Sequence, residues 1–450
     1  MNPRVDKYVL TTTTELRGAT RENNKVRLED RAAHGWYRFV LSYPPHLVRD
    51  YVERFGLGAR QRVLDPFCGT GTTVVECKKL GVKSVGIEAN PMPAFASEVK
   101  TEWTVDPKGL MDHARRVSDL TCARLARQGI EDIPALLLQK PPKAKLRGLP
   151  EDTWKLLLKN CISPLPLHKT LVLMEVLEKH HEQKFWKHER LALAKALVGT
   201  VSNLHFGPEV GVGKPKSDAP VVAAWLNCVR DIADDLVELQ NKEDVETVVH
   251  RGDARNPENL LRKNSIDAVI TSPPYPNEKD YTRTTRLESV LLGFVNSKDE
   301  LRALKKAFVR SNTRSVYKTD EDDLLVEKHQ EIQRIADQIE KRRIELGKTS
   351  GFERLYHRVT KLYFGGMKRH LTELQPFLRP GAQLAYVVGD QASYLRVMIR
   401  TGQLLAGIGE SLGYEVMGID LFRTRLATAT KEQLREEIVL LRWPGKNGTK

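Results

Sequence analysis

Two short segments carry residues whose types and spacing suit chemistry on a nucleotide-like ligand. The first is Asp65-Pro66-Phe67-Cys68-Gly69-Thr70-Gly71-Thr72-Thr73, which follows the apolar run Arg62-Val63-Leu64 and precedes a helical pattern. Gly69 and Gly71 let the backbone turn tightly and approach a ligand without interference from Cβ atoms. A helix starting behind them offers free N–H groups. No Gly-Lys-Ser/Thr follows, so this is not a phosphate-binding Walker loop. Glu88 ends the next apolar run, roughly twenty residues further on, where a carboxylate can accept hydrogen bonds from both hydroxyls of a ribose. Asp253 ends a third run and suits either an adenine amino group or a helix cap.

The second segment is Thr271-Ser272-Pro273-Pro274-Tyr275. Two prolines cannot extend a central strand, so the chain leaves the sheet here in a rigid loop. The Ser272 hydroxyl and a main-chain carbonyl are then free to act as acceptors, and Tyr275 offers a flat face. An exocyclic amino group is a poor nucleophile because its lone pair is delocalised into the ring. Two acceptors that hold its hydrogens shift it towards a tetrahedral geometry. A base swung out of a duplex and stacked on Tyr275 would be presented in that state. The plainer alternative for this segment is a structural turn.

Positioning these residues takes a sheet. Short runs rich in β-branched residues lie at 62–65, 84–88, 247–250, 266–270, 384–388, 416–422 and 437–442, and read as buried strands. Helical patterns at Val74–Leu80 and Val397–Leu412 follow the first and fifth, as in a doubly wound α/β sheet. Two spacings are too long for simple crossovers. The chain therefore divides into 1–100, the cofactor-pocket segment with the first half of the sheet domain; 101–245, a helical insertion; 246–276, a second catalytic segment; 277–380, another helical insertion; and 381–450, the last strands. In the first insertion, helical patterns run over 110–127, 153–160, 171–181, 189–197 and 219–239. The stretch Gln139–Lys145 reads as an exposed basic linker, and the charged stretch 318–348 as a solvated helix or hairpin.

Composition sets wider bounds. The chain has 450 residues, 72 Lys and Arg against 58 Asp and Glu, and a net charge of +14. Such an excess fits a phosphate-rich partner, or simply a basic protein. The five cysteines, Cys68, Cys77, Cys122, Cys161 and Cys228, form no CxxC pair and none follows a proline. Neither a disulfide framework, nor a thiolate zinc site, nor a Pro-Cys nucleophile is indicated. His180, His181 and His188 lack carboxylate or cysteine partners at ligand spacing, so no metal is expected. Trp154, Trp186 and Trp225 fall on apolar helical faces and read as core. The polar segment 1–24 holds no signal peptide and no run approaches membrane-spanning length, so a reduced cytoplasmic location is expected.

Together the two segments resemble the DNA amino-methyltransferases, with Asp65–Gly71 similar to their cofactor motif and Thr271–Tyr275 to their catalytic motif. The Ser-Pro-Pro-Tyr form is typical of enzymes that make N4-methylcytosine, whereas many N6-adenine enzymes carry Asp in place of Ser272. The resemblance extends to Trp36-Tyr37 and Tyr43–Val48, similar to the segment that closes the family's cofactor pocket, and to Val388-Gly389-Asp390 and Glu437–Arg442. It implies a Rossmann-like class I methyltransferase sheet of seven strands, the last antiparallel, with two largely helical insertions. It implies S-adenosyl-L-methionine as cofactor, held by Tyr37, Asp65, Phe67, Gly69, Gly71, Thr72, Glu88 and Asp253. Ser272, Pro273, Pro274 and Tyr275 would be catalytic, acting on double-stranded DNA by base flipping. Lys214 in the first insertion, and Arg283, Arg286 and Arg314 with Arg310, Tyr317 and Lys318 in the second, are candidates for DNA contact or plain surface residues. A cognate restriction endonuclease as partner stays open. So do an N6-adenine DNA enzyme, an RNA amino or guanine-N2 methyltransferase, and an inactive DNA-binding regulator.

Overall fold

All seven expected runs become strands of one sheet, and a two-residue strand joins its edge as an eighth. In chain order the strands are β1 (Leu10–Thr11), β2 (Arg62–Asp65), β3 (Lys83–Glu88), a separate hairpin β4 (Leu204–Phe206) and β5 (Val210–Val212), then β6 (Thr247–Arg251), β7 (Ile266–Thr271), β8 (Leu378–Gly389), β9 (Glu415–Leu426) and β10 (Gln433–Arg442). The computed structural model describes residues 10–11, 27–37, 42–134, 144–206, 210–242, 244–277, 279–426 and 433–445. Within the basic stretch Gln139–Lys145, residues 139–143 lie outside these.

The spatial order is β1-β9-β10-β8-β7-β2-β3-β6. The strands from β6 to β8 run parallel, while β10 is antiparallel to both β8 and β9. The chain winds outward from β2 through β3 to β6, then returns to the other side of β2 with β7. The order thus reverses between β2 and β7. In open α/β sheets ligands bind outside the carboxyl ends of the strands at such a reversal, and both motif loops leave the sheet there.

Alternation along each strand sends neighbouring side chains to opposite faces. Leu64, Val269 and Leu384 pack beneath the helices Tyr356–Leu374 and Thr401–Ser411. Val63, Ala268 and Ala385 pack against Leu47, Val48 and Tyr51 of the helix Pro45–Arg54. The helices Pro107–Ala126, Pro164–Lys179, Gln183–Ala196 and Val221–Leu239 build a third core around Trp36, Trp103 and Trp225.

The inserts differ from expectation in three places. The helical pattern at 153–160 yields only the turn Glu151–Trp154. The loop after Val201 carries the small β4–β5 hairpin. The charged stretch forms the helix Gln330–Glu345, but Ile332, Ile335, Ala336 and Ile339 form a buried stripe, so one face is packed and only the other solvated. This helix lies on Tyr356–Leu374, which is itself the crossover between β7 and β8. A parallel pair needs such a crossover, so part of 277–380 belongs to the sheet layers. Among the described residues, no helix is long and apolar enough to cross a membrane.

Candidate active site

Asp65, at the end of β2, organises the strand ends. It is wholly buried and accepts hydrogen bonds from the hydroxyls of Thr73 (2.6 Å), Thr271 (2.5 Å) and Tyr43 (3.4 Å) and from the Phe67 N–H (3.1 Å). Burial raises its pKa to about 6 against the pull of these donors. The Thr271 bond crosses the sheet reversal and fixes the start of the Ser-Pro-Pro-Tyr loop relative to the glycine loop. Asp65 therefore sits behind the site rather than on its wall.

Between the two loops opens a cavity of about 340 Å³. One side is lined by Tyr43, Phe67, Gly69, Thr72, Glu88, Asn90 and Asp253, the other by Ser272, Pro273, Pro274, Tyr275 and Lys279. Gly69 and Gly71 adopt φ of 53° and 89°, the left-handed region that the expected tight turn requires. The loop is clamped from the helix Pro91–Lys100, where Ser97 Oγ donates to the Gly69 carbonyl (2.8 Å) and the buried Lys100 ammonium to that of Thr70 (3.0 Å). Gly71 is off the wall, and a Cβ there would lie 3.2 Å from Ser97 Cα.

Glu88 is held by two backbone donors, Gly69 N–H to Oε2 (2.8 Å) and Asn90 N–H to Oε1 (2.7 Å). Each oxygen keeps a second lone pair for a ligand hydroxyl. Burial raises its pKa to about 7. Asn90 donates to Thr285 Oγ1 (3.1 Å), while its buried Oδ1 has no partner among the described residues. Asp253 grips Arg255 through both carboxylate oxygens, and Arg255 extends to Asp322 (2.8 Å). Asp253 also accepts from the Arg255 N–H (2.9 Å), so it both shapes its turn and faces the cavity.

On the opposite wall, Ser272 Oγ donates to the Val387 carbonyl (3.2 Å). With the proton directed there, its oxygen can accept, and the Tyr275 hydroxyl lies within hydrogen-bonding reach of it. The Tyr275 ring lies over Gly389, where an added Cβ would come within 3.0 Å of Cε2 and press on the ring. Burial raises the Tyr275 hydroxyl well above its ordinary pKa, and the Tyr281 hydroxyl meets its N–H at 3.4 Å.

Other sequence candidates lie elsewhere. Tyr37 is buried and donates to Glu288, so it braces the N-terminal segment on the second insertion rather than facing the cavity. Arg286 and Arg310 are also buried: Arg286 bonds the Leu156 carbonyl and Thr282, and Arg310 pairs with Asp320. Both are inward-facing structural groups, which corrects their reading as phosphate contacts in this conformation. Arg283 is half-buried. Lys214, Arg314 and Lys318 are exposed, with Arg314 over the Phe352 ring at 5.7 Å. Tyr317 lies beneath Lys306 and Arg310. His188 is buried against the Glu102 carbonyl, and among the described residues no cluster of three metal-capable side chains occurs. Sequence reasoning missed the wall residues Asn90, Lys279, Arg423, Arg425 and Glu436. An Asn-Pro step and charges at strand ends are too common to single them out.

Residues 17–93 match the family model described as DNA methylase. The chain is 27% identical over 454 residues to the Type II methyltransferase M.BsoBI of Geobacillus stearothermophilus, covering 92% of this chain and 85% of that protein. It is 22% identical over 466 residues to the Type II methyltransferase M.AvaI of Anabaena variabilis, covering 92% and 87%. A local match, 36% identical over 70 residues, links it to the Type II methyltransferase M.MjaII of Methanocaldococcus jannaschii, covering 15% of this chain and 13% of that protein.

Proposed function

Because the chain belongs to the DNA amino-methyltransferase family, we propose that it transfers a methyl group from S-adenosyl-L-methionine to the N4 amino group of a cytosine in a specific DNA sequence. The observation that carries this reading is one cavity shared by Gly69 and Glu88 on one wall and Ser272 and Tyr275 on the other. The cofactor side fits the residues present. The space beside the Gly69 Cα is open, the Glu88 carboxylate faces the cavity, and Asn90 Oδ1 is a buried acceptor with no partner among the described residues. Gly69 and Thr72 would border the methionine part, Glu88 the ribose, and Asp253 and Phe67 the adenine.

When bound, S-adenosyl-L-methionine supplies an electrophilic methyl group. The protein's part is to bind and orient the amino group. Ser272 Oγ accepts one amino hydrogen because its own proton is committed to Val387, and a main-chain carbonyl of the loop takes the other. Tyr275, kept neutral by burial, stacks on the ring. The amino nitrogen would bond the methyl carbon as that carbon's bond to sulfur breaks, and the cationic nitrogen would give one proton to solvent water, with no covalent bond to the protein. Ser272 in the acceptor position supports cytosine. Tyr275 lines a cavity enclosed between the two loops, which supports flipping of the base from double-stranded DNA. The charge of +14 suits that partner. The Type II naming of the relatives supports a restriction–modification setting with a cognate endonuclease. DNA incubated with the protein and cofactor, then digested to nucleosides, is expected to contain N4-methylcytosine. N6-methyladenine as the product would overturn the cytosine assignment.

The charge state of Glu88 gives a second expectation. A carboxylate with a pKa of about 7 in the free site must be ionised to accept both ribose hydroxyls, and those bonds lower its pKa in the complex. Affinity for S-adenosyl-L-methionine is then fully developed above pH 7 and falls as pH drops, by up to about tenfold per unit. Calorimetric titration between pH 5 and 8 should show this limb in the parent and a weaker but flat profile in Glu88→Gln. A flat parent profile would remove Glu88 from the ribose.

A further inference from the structure

At the far end of the cavity from Glu88, the ends of β9 and β10 supply Arg423, Arg425 and Glu436 to the wall. Arg423 and Glu436 are register partners, and Arg423 Nε binds Glu436 Oε2 at 2.5 Å. Glu436 is also the register partner of Gly389, the residue beneath the Tyr275 ring. The charges of Glu436 and Arg423 both act on the Tyr275 hydroxyl. The pair therefore stands beside the stacking platform, and each member neutralises the other. Arg425, two residues along the strand, is different. Its Nε is 4.0 Å from Glu436 Oε1 and its side chain is 46% exposed, against 20% for Arg423. It is a guanidinium on the cavity wall whose carboxylate contact, among the described residues, is a loose one.

Resting on the cytosine reading above, we propose that Arg425 is a specificity-determining residue that donates two hydrogen bonds to the acceptor edge of the flipped base, at cytosine N3 and O2. Arg423 and Glu436 position it. Cytosine presents two adjacent acceptors beside the amino-bearing carbon, whereas adenine presents one acceptor and then a C–H. A guanidinium has parallel donors that match the first arrangement and leave one donor unpaired against the second. Entry of the base covers this half-exposed guanidinium, and a donor then left unpaired discriminates because its desolvation goes uncompensated.

The test is single-turnover methyl transfer on duplex oligonucleotides carrying the site found by modification mapping. The target base is either cytosine or 3-deazacytosine, which keeps the amino group and loses the N3 acceptor. The parent protein is expected to lose at least tenfold in rate on the analogue. Arg425→Ala should be at least tenfold slower on cytosine, bind S-adenosyl-L-methionine as the parent does, and show little further loss on the analogue. Arg425→Lys, with a single point donor, should fall between. If Arg425→Ala keeps the full penalty for the analogue, as a phosphate contact would, the assignment of Arg425 is overturned. An absent penalty in the parent overturns it too. Product analysis of the parent reaction separates the two levels: N6-methyladenine would overturn the cytosine reading itself, whereas N4-methylcytosine with an unchanged penalty overturns Arg425 alone.

Discussion

Ser272→Ala is expected to slow single-turnover methyl transfer by roughly 30- to 1,000-fold, about 2–4 kcal/mol by analogy with the loss of one preorganised oxyanion donor, while affinity for S-adenosyl-L-methionine changes little. The separation follows from position. Ser272 lies across the cavity from Glu88, and its hydroxyl is tied to Val387 rather than to the glycine loop. Its acceptor matters most as the amino nitrogen becomes nucleophilic. Tyr275→Ala removes the stacking surface, worth about 1–3 kcal/mol, and opens space above Gly389, so both capture of the base and transfer should suffer. Tyr275→Phe should be mild, because the ring survives and the hydroxyl is not asked to ionise. Rapid-quench transfer and cofactor titration on each variant check this. Parent-like rates in Ser272→Ala and Tyr275→Ala would remove the loop from catalysis.

Gly71→Asp is expected to abolish measurable cofactor binding, although Gly71 lies off the cavity wall. Its φ of 89° lies where a side chain is strained, by roughly 1–2 kcal/mol. An added Cβ would meet Ser97 at 3.0 Å from Oγ and 3.2 Å from Cα. The backbone contact cannot be relieved by a rotamer change, so the helix Pro91–Lys100 or the loop must move. Ser97 Oγ then loses the Gly69 carbonyl, and Gly69 loses its fixed approach to Glu88. Gly71→Ala should show the same strain in milder form, as a lower melting temperature and at least tenfold weaker binding. Thermal unfolding with and without S-adenosyl-L-methionine measures both. Parent-like affinity in folded Gly71→Asp would show that the loop does not shape the cofactor site.

The sequence alone determined the strands, the two motif loops and much of the cavity wall. The reason is local. Apolar runs bounded by Gly-x-Gly or Pro-Pro leave the backbone few alternatives, and the conformations at Gly69 and Gly71 follow from that punctuation. Glu88, Asp253, Ser272 and Tyr275 stand at strand ends because the runs stop there. The remaining features depend on residues far apart in the chain. Asp65 and Thr271 are 206 positions apart, yet their hydrogen bond sets one loop against the other. Tyr37 resembled a pocket residue by motif, but Glu288, 251 positions away, takes its hydroxyl into the interior. Arg286 and Arg310 read like any other arginines in a basic stretch, and their burial is fixed by carbonyls and a carboxylate that the fold brings to them. Arg423, Arg425 and Glu436 become wall residues because β10 inserts between β8 and β9 and carries the strand ends to Tyr275. Local pattern fixes where a strand stops, but which charges then meet across a cavity depends on long-range pairing, which no window of sequence contains.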